Sequence, residues 1–269
     1  MLKLKILGMT LCLALSGLFL TGCTISGKEI TIDVGDSEKE YSSDEIILDN
    51  VSVTSANIDN NVGTTTIAYG DDASVEIDIS YNVTGNDEDL LEEILDIVSV
   101  DAEIENDELR VSVINKETGE NIWKWIDREY KSLNKPNLDV DLDILLPADI
   151  KEFDINCNVG NINLKSLEGT FDVRSNVGSI EMKDIIFTGD SEITADVGDV
   201  TCSLSRDMEE ASEVSLTTNI GNVKLDTDDL SYTVEDENND NFLGTSRTIL
   251  VNDLCRIDIN VSLGKLTLR

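Results

Sequence analysis

The chain of 269 residues contains no histidine. Serine–histidine and cysteine–histidine nucleophile pairs therefore cannot be built, and the commonest metal ligand and general base is missing. Basic residues are scarce: 20 Lys+Arg stand against 55 Asp+Glu, a formal net charge of −35. So acidic a surface opposes binding to nucleic acid or anionic lipid through electrostatics. Five cysteines occur, Cys12, Cys23, Cys157, Cys202 and Cys255, with no CxxC pair among them. The apolar run from Ile6 to Leu20 is too short and too soon interrupted for a membrane span. Carboxylate-only chemistry stays open. With 55 acids, however, no pair of carboxylates can be singled out from sequence.

What is present begins at the N-terminus. Met1-Leu2-Lys3-Leu4-Lys5 is a basic start, Ile6 to Leu20 an apolar run, and Leu20-Thr21-Gly22-Cys23 ends it. This resembles the lipobox of bacterial lipoproteins. The resemblance implies a signal peptide over 1–22 and a mature chain that starts at an acylated Cys23, palmitate being one such acyl group. The protein would then be extracytoplasmic and lipid-anchored to the bacterial cell membrane. Several acyl chains on one residue anchor stably, at about 0.8 kcal/mol per buried methylene. Removing 1–22 takes away Lys3 and Lys5, so the mature charge becomes 18 − 55 = −37. Residues 23–45, small and polar and then charged, read as a flexible tether, with Ile30 to Val34 able to pair as a weak strand.

The rest is organised by a repeat. Asn158-Val159-Gly160-Asn161-Ile162 recurs as Asn176-Val177-Gly178-Ser179-Ile180, Asp196-Val197-Gly198-Asp199-Val200 and Asn219-Ile220-Gly221-Asn222-Val223, with a weaker copy at Ser262-Leu263-Gly264-Lys265-Leu266. The glycines lie 18, 20, 23 and 43 residues apart, the last interval being two periods (178 − 160, 198 − 178, 221 − 198, 264 − 221). Such a period marks a solenoid, in which each repeat is one coil. Aligned on the glycines, four columns are apolar or small: Cys157, Ser175, Ala195, Thr218 and Val261 three before; Val159, Val177, Val197, Ile220 and Leu263 one before; Ile162, Ile180, Val200, Val223 and Leu266 two after; Leu164, Met182, Cys202, Leu225 and Leu268 four after. Each half alternates with the period of a strand that has one buried face. A bend at the glycine would keep both flanking side chains inside. All four columns, Val197 included, are thus expected to point inward. Residues 46–269 form the solenoid domain, with irregular coils over 46–137 and regular glycine-containing coils over 138–269. Asn61-Val62-Gly63-Thr64 echoes the repeat in the irregular part.

Two stretches break the strand pattern. Leu90, Leu91, Ile94, Leu95 and Val98 fall at helical spacing behind Asp87, Glu88 and Asp89, which predicts a short helix. Ile122, Trp123, Trp125, Ile126, Tyr130 and Leu133 predict a second within 121–134. Both tryptophans lie there beside Lys124, Arg128, Lys131 and Lys135, the one basic, aromatic patch of the chain. It reads either as a flap over the solenoid edge or as a site for a glycan, a partner or a membrane surface, with Trp123, Trp125, Lys124 and Arg128 as binding residues. The column Asn158, Asn176, Asp196, Asn219 raises the question of calcium, but its spacing is too sparse for six oxygen ligands per ion, so no metal or cofactor is expected. Cys157, Cys202 and Cys255 read as buried small hydrophobes. Glu235 to Arg247 reads as an acidic loop between strands.

Val140-Asp141-Leu142-Asp143-Ile144-Leu145-Leu146-Pro147, followed by the Val-Gly-x-Ile/Val coils at 159–162, 177–180, 197–200 and 220–223, resembles the putative-adhesin, β-strand-repeat family of unknown function found on bacterial lipoproteins and membrane proteins. The resemblance covers 46–269. It implies an all-β fold, a right-handed single-stranded β-solenoid, here carrying two short helical insertions. It brings no catalytic residues; Gly160, Gly178, Gly198, Gly221 and Gly264 are structural repeat positions. The function that follows is a noncatalytic cell-surface adhesin or envelope scaffold. Its partners would be the membrane through Cys23 and an envelope glycan or another surface protein, not nucleic acid. A carbohydrate-active β-helix enzyme is the alternative, and it requires carboxylates converging in a groove.

Overall fold

The computed structural model describes residues 23–33, 38–130, 135–205, 207, 212–226, 231–238, 245–251, 253, 255–263 and 267–268. The signal-peptide reading of 1–22 and the last repeat glycine, Gly264, lie outside them.

The chain opens with an antiparallel pair, β1 (Cys23–Asp33) and β2 (Glu38–Leu48). The first coil follows as β3 (Ser55–Val62) and β4 (Thr65–Tyr69), meeting at Gly63. β5 (Val75–Gly85) then runs antiparallel to all of β2, from Glu38↔Gly85 to Leu48↔Val75. Residues 23–45, expected as a tether, are therefore mostly strand. The pairing of β2 with β5 gives that segment's backbone the partners that a solvated linker would take from water.

Helix α1 (Glu88–Ile97) starts at Asp87, whose carboxylate accepts from the Leu90 amide, and it buries Leu91, Ile94 and Leu95, the stripe seen in the sequence. β6 (Val98–Glu105) and β7 (Glu108–Asn115) form a hairpin. Helix α2 (Ile122–Glu129) interrupts the next coil, which resumes as β8 (Asn137–Leu146).

The regular coils come next, two strands each: β9 (Glu152–Val159) with β10 (Ile162–Lys165), β11 (Glu168–Val177) with β12 (Ile180–Phe187), β13 (Ser191–Val197) with β14 (Val200–Leu204), and β15 (Ser212–Ile220) with β16 (Val223–Asp226). β17 (Tyr232–Asn238) and β18 (Thr245–Val251) make an antiparallel hairpin where a loop over 235–247 was expected; its turn, 239–244, lies outside the described residues. β19 (Cys255–Val261) and β20 (Thr267–Leu268) form the last coil.

First strands of successive coils pair in parallel in one sheet: β3–β9–β11–β13–β15–β19. Second strands pair in parallel in the other: β4–β10–β12–β14–β16–β20. The architecture is an all-β, solenoid-like stack of coils with two short helices. Its order in space differs from its order in sequence. β7 pairs with β3, and β8 with β4, on the side away from β9 and β10. The coil β7–β8, made second, therefore lies outside the coil made first. Antiparallel strands then extend the stack: β6 beside β7, and β5, β2 and β1 beyond β8.

Parallel register stacks like on like. Val111, Ile58, Ile155, Val173, Ile193, Leu216 and Ile259 form one buried column across the first sheet. Ile144, Ile67, Leu164, Met182, Cys202 and Leu225 form its counterpart across the second. Beside these columns, Phe153 stacks flat on Phe171 at 4.9 Å, and Phe171 meets Phe187 edge-on at 5.4 Å.

The glycines make the corner between the sheets. Gly178 has φ +146°, and a Cβ there would lie 1.7 Å from the carbonyl oxygen of Gly160. Gly198 stands in the same relation to Gly178, at 1.8 Å. Each corner thus sits directly on the one before it, at a distance only a hydrogen atom permits. The Gly198 and Gly63 carbonyls accept from Thr218 Oγ1 at 2.9 Å and from Cys157 Sγ at 3.5 Å, side chains three before a glycine. That column is small because the wedge inside the corner is narrow.

One expectation is overturned here. The column one before the glycine points outward: Val159, Val177, Val197, Ile220 and Leu263 are 42–52% exposed. The corner wedge is already filled from the column three before and the column two after, so the residue on the turn is carried round to the outside.

Candidate functional site

The outward turn produces a continuous apolar ridge along the corner. Register places Val62, Val159, Val177, Val197 and Ile220 in one row, and Leu263 extends it through its carbonyl, which accepts from the Gly221 amide at 2.8 Å. Parallel strands are spaced about 4.8 Å apart, so six side chains span about 24 Å.

Two amide-rich rows flank it. On one side Asn176 Nδ2 donates to Asn158 Oδ1 at 2.9 Å, Asn219 Nδ2 to Asp196 Oδ1 at 2.7 Å, and Ser262 Oγ to Asn219 Oδ1 at 3.2 Å. On the other, the Ser179 amide donates to Asn161 Oδ1 at 3.0 Å and the Asn222 amide to Asp199 Oδ1 at 2.8 Å. The repeat's Asx residues therefore tie one coil to the next. Among the described residues no group of three or more His, Cys, Asp or Glu is arranged to hold a metal ion.

The outer face of the first sheet carries a second feature. Six before each glycine, register aligns Asp154, Asp172, Glu192, Ser215 and Asp258; eight before, it pairs Glu152 with Thr170 and Glu213 with Arg256, and Asp190 joins the row by accepting from the Glu213 amide at 3.1 Å. Glu108, Asp154, Asp172, Glu192, Asp190 and Glu213 line a groove of about 550 Å³, and Arg256 and Asp258 continue the two rows beyond it. Arg174 pairs with Asp172 at 2.9 Å, and Arg256 lies 3.8 Å from Glu213. Burial holds the Asp172 carboxyl above its ordinary value, Arg174 opposes that, and Asp154 and Glu192 add to it. Sequence reading missed this groove because it treated the acids by number. Counting back from the glycines would have aligned them.

The tryptophans sit on α2. Asn121 caps the helix by accepting from the Lys124 amide at 3.2 Å, and Ile122 and Ile126 are buried. Trp123 is half-buried and its Nε1 donates to the Leu138 carbonyl at 3.0 Å, so it braces the helix against β8. Trp125, also half-buried, meets Tyr130 edge-on at 5.8 Å. Lys124 is exposed, whereas Arg128 is engaged by Glu120 and Glu129. Lys131 lies outside the described residues. The patch thus brings both rings to one helix, and of its three described cations Arg128 and Lys135, the latter paired with Asp127, are neutralised locally.

Cys157, Cys202 and Cys255 are buried free thiols. Burial raises all three, Cys157 to about 11 and Cys255 to about 12, so they carry no thiolate at neutral pH. Cys23 lies in β1, opposite Leu48. No described helix is long and apolar enough to cross a membrane.

Among solved structures the fold is similar to a putative cell adhesion protein from Clostridium sporogenes, at 12% identity and a TM-score of 0.37, covering 90% of this chain and 98% of that one. It is also similar to a putative adhesin from Bacteroides fragilis, at 15% identity and a TM-score of 0.31, covering 69% and 88% respectively. A putative adhesin from Parabacteroides merdae matches at 12% identity and a TM-score of 0.22, covering 85% and 95%. No curated protein matches the sequence. The Toastrack DUF4097 family matches residues 26–252, which take in both helices and all four regular glycine corners, and the chain belongs to that family.

Proposed function

We propose that this protein is a noncatalytic binding module, held outside a bacterial cell by lipid on Cys23, that engages another surface component through its corner ridge. The observation that carries the reading is the ridge itself. Val159, Val177, Val197, Ile220 and Leu263 stand 42–52% exposed in one row on a protein of net charge −35. Contiguous exposed apolar surface in a soluble domain marks interaction sites. The coils are read as right-handed, the sense that parallel crossovers take. Trp125 and Lys124, a half-buried indole and an exposed cation on the same helix, offer an auxiliary contact for a glycan or an acidic partner.

The test is envelope association in cells. Cys23→Ser should block processing or release the protein from the membrane. Val177→Asp with Val197→Asp should leave the anchor intact and abolish co-purification with envelope components. Normal cleavage and membrane retention of Cys23→Ser would refute the anchor, and unchanged co-purification of the ridge variant would refute the ridge.

The acidic groove favours a second reading, a glycan-cleaving enzyme. Such catalysis needs two carboxylates, one with raised affinity for its proton, and Asp172 meets the second condition. New reducing ends released from envelope polysaccharide by the wild type and not by Asp172→Asn would establish it.

A further inference from the structure

We infer that the partner of the corner ridge is a second copy of this chain, packed ridge to ridge about a two-fold axis. The inference rests on the ridge being an interaction surface, and it names the occupant.

Charge selects the place. The chain carries 55 acids, yet of the eight residues that flank the ridge in the four regular coils only Asp196 and Asp199 are charged; the others are Asn158, Asn161, Asn176, Ser179, Asn219 and Asn222. Elsewhere on the same strands Asp154, Asp172 and Glu192 follow one another in register. Two copies of so acidic a protein repel each other over most orientations. The corner is where they can approach with few like charges opposed.

Chemistry and shape select the occupant. The ridge is aliphatic and has no ring on which a sugar could stack. A membrane surface is disfavoured because its anionic lipids repel a chain of net charge −35. A straight row of evenly spaced side chains is complementary to itself when turned end for end, as a two-fold contact requires. The flanking amides both donate and accept, so a row of them can pair with its own copy.

Area agrees. Five side chains about half exposed present roughly 400 Å² per copy, and with the two flanking rows the contact reaches about 1,200 to 1,600 Å² in total, the size of a specific interface.

The experiment is light scattering on the full chain in detergent as it elutes from a sizing column. The wild type should elute at twice the monomer mass. Its dissociation constant should fall at least about tenfold between about 0.1 M and 1 M salt, because screening removes the net repulsion. Val177→Asp with Val197→Asp should weaken pairing by about 100-fold or more, since four carboxylates would meet in the contact, with the circular dichroism spectrum of the folded chain unchanged. On intact cells, Val177→Cys together with Val197→Cys should cross-link the two copies under mild oxidation, because the end-for-end contact sets position 177 of one copy beside position 197 of the other. A wild type that stays monomeric at high salt, or a ridge variant that pairs as well as the wild type, overturns the inference. A monomeric wild type whose ridge variant still loses envelope components would overturn pairing alone and leave the binding reading in place.

Discussion

Replacing Gly178 by alanine is the sharpest probe of the corner. The added Cβ would lie 1.7 Å from the Gly160 oxygen and 2.6 Å from its carbon, whereas real Cβ contacts essentially never fall below 3.0 Å. The obstacle is backbone, which cannot rotate away, so coils β9–β10 and β11–β12 must part at the corner. Parting them breaks the bond from the Gly160 amide to the Val177 carbonyl, 2.8 Å, and strains that from the Gly178 amide to the Val197 carbonyl, also 2.8 Å. Each lost bond costs about 1 kcal/mol net, or up to about 3 if a buried group is left unpaired. The angle φ +146° adds about 1 to 3 kcal/mol for a residue with a side chain. Counting both bonds, the sum is about 3 to 9 kcal/mol, against a total stability of about 5 to 15 kcal/mol for an ordinary domain. Gly119→Ala is the control. Gly119 also has positive φ, +71°, but nothing lies within 4 Å of its added Cβ, so about 1 kcal/mol is expected. Urea titration followed by far-ultraviolet circular dichroism measures both. A Gly178→Ala protein within about 1 kcal/mol of Gly119→Ala would refute the stacked-corner account.

The remaining predictions use the same comparison of neighbours. Val173→Asp, fully buried, should destabilise by about 4 kcal/mol or more; Val197→Asp, 42% exposed, should cost under about 1 kcal/mol, and equal losses in urea would contradict the outward turn. Trp123→Ala should lower the melting temperature more than Trp125→Ala, because only Trp123 bonds to the Leu138 carbonyl; the reverse order would remove Trp123 as the brace. Burial raises the carboxyls of Asp59, Asp139 and Asp172, so the folded state holds their protons more tightly than the unfolded chain does. Stability should therefore grow as pH falls from neutrality through these raised values, levelling off near the ordinary 3.8. Asp72, lowered by its bonds from Ser74, works against this as a single exposed group. Calorimetry at neutral pH and near the ordinary 3.8 should show the higher melting temperature at the lower pH; a lower one would refute the assignment.

The sequence by itself determined the coil. A glycine about every twenty residues, flanked by alternating strands, requires a turn that only glycine can make, and local backbone sterics decide that without help from the rest of the chain. Both helices were legible for the same reason: Leu91, Ile94 and Leu95, and Ile122 and Ile126, are a stripe on one turn-length of chain. The tertiary structure decided whatever depends on what lies beside a coil. Val159 and its equivalents alternate like core residues, and only the narrowness of the corner, already filled by Cys157 and Ile162, turns them out. The acids of the groove are eighteen to twenty-three residues apart in sequence and become neighbours only when register stacks them. Residues 38–45 carry no core pattern of their own, yet β5 offers an open edge that they complete. The placement of β7 and β8 outside β3 and β4 is likewise a matter of which edge is free when the chain returns, a choice that no local pattern encodes.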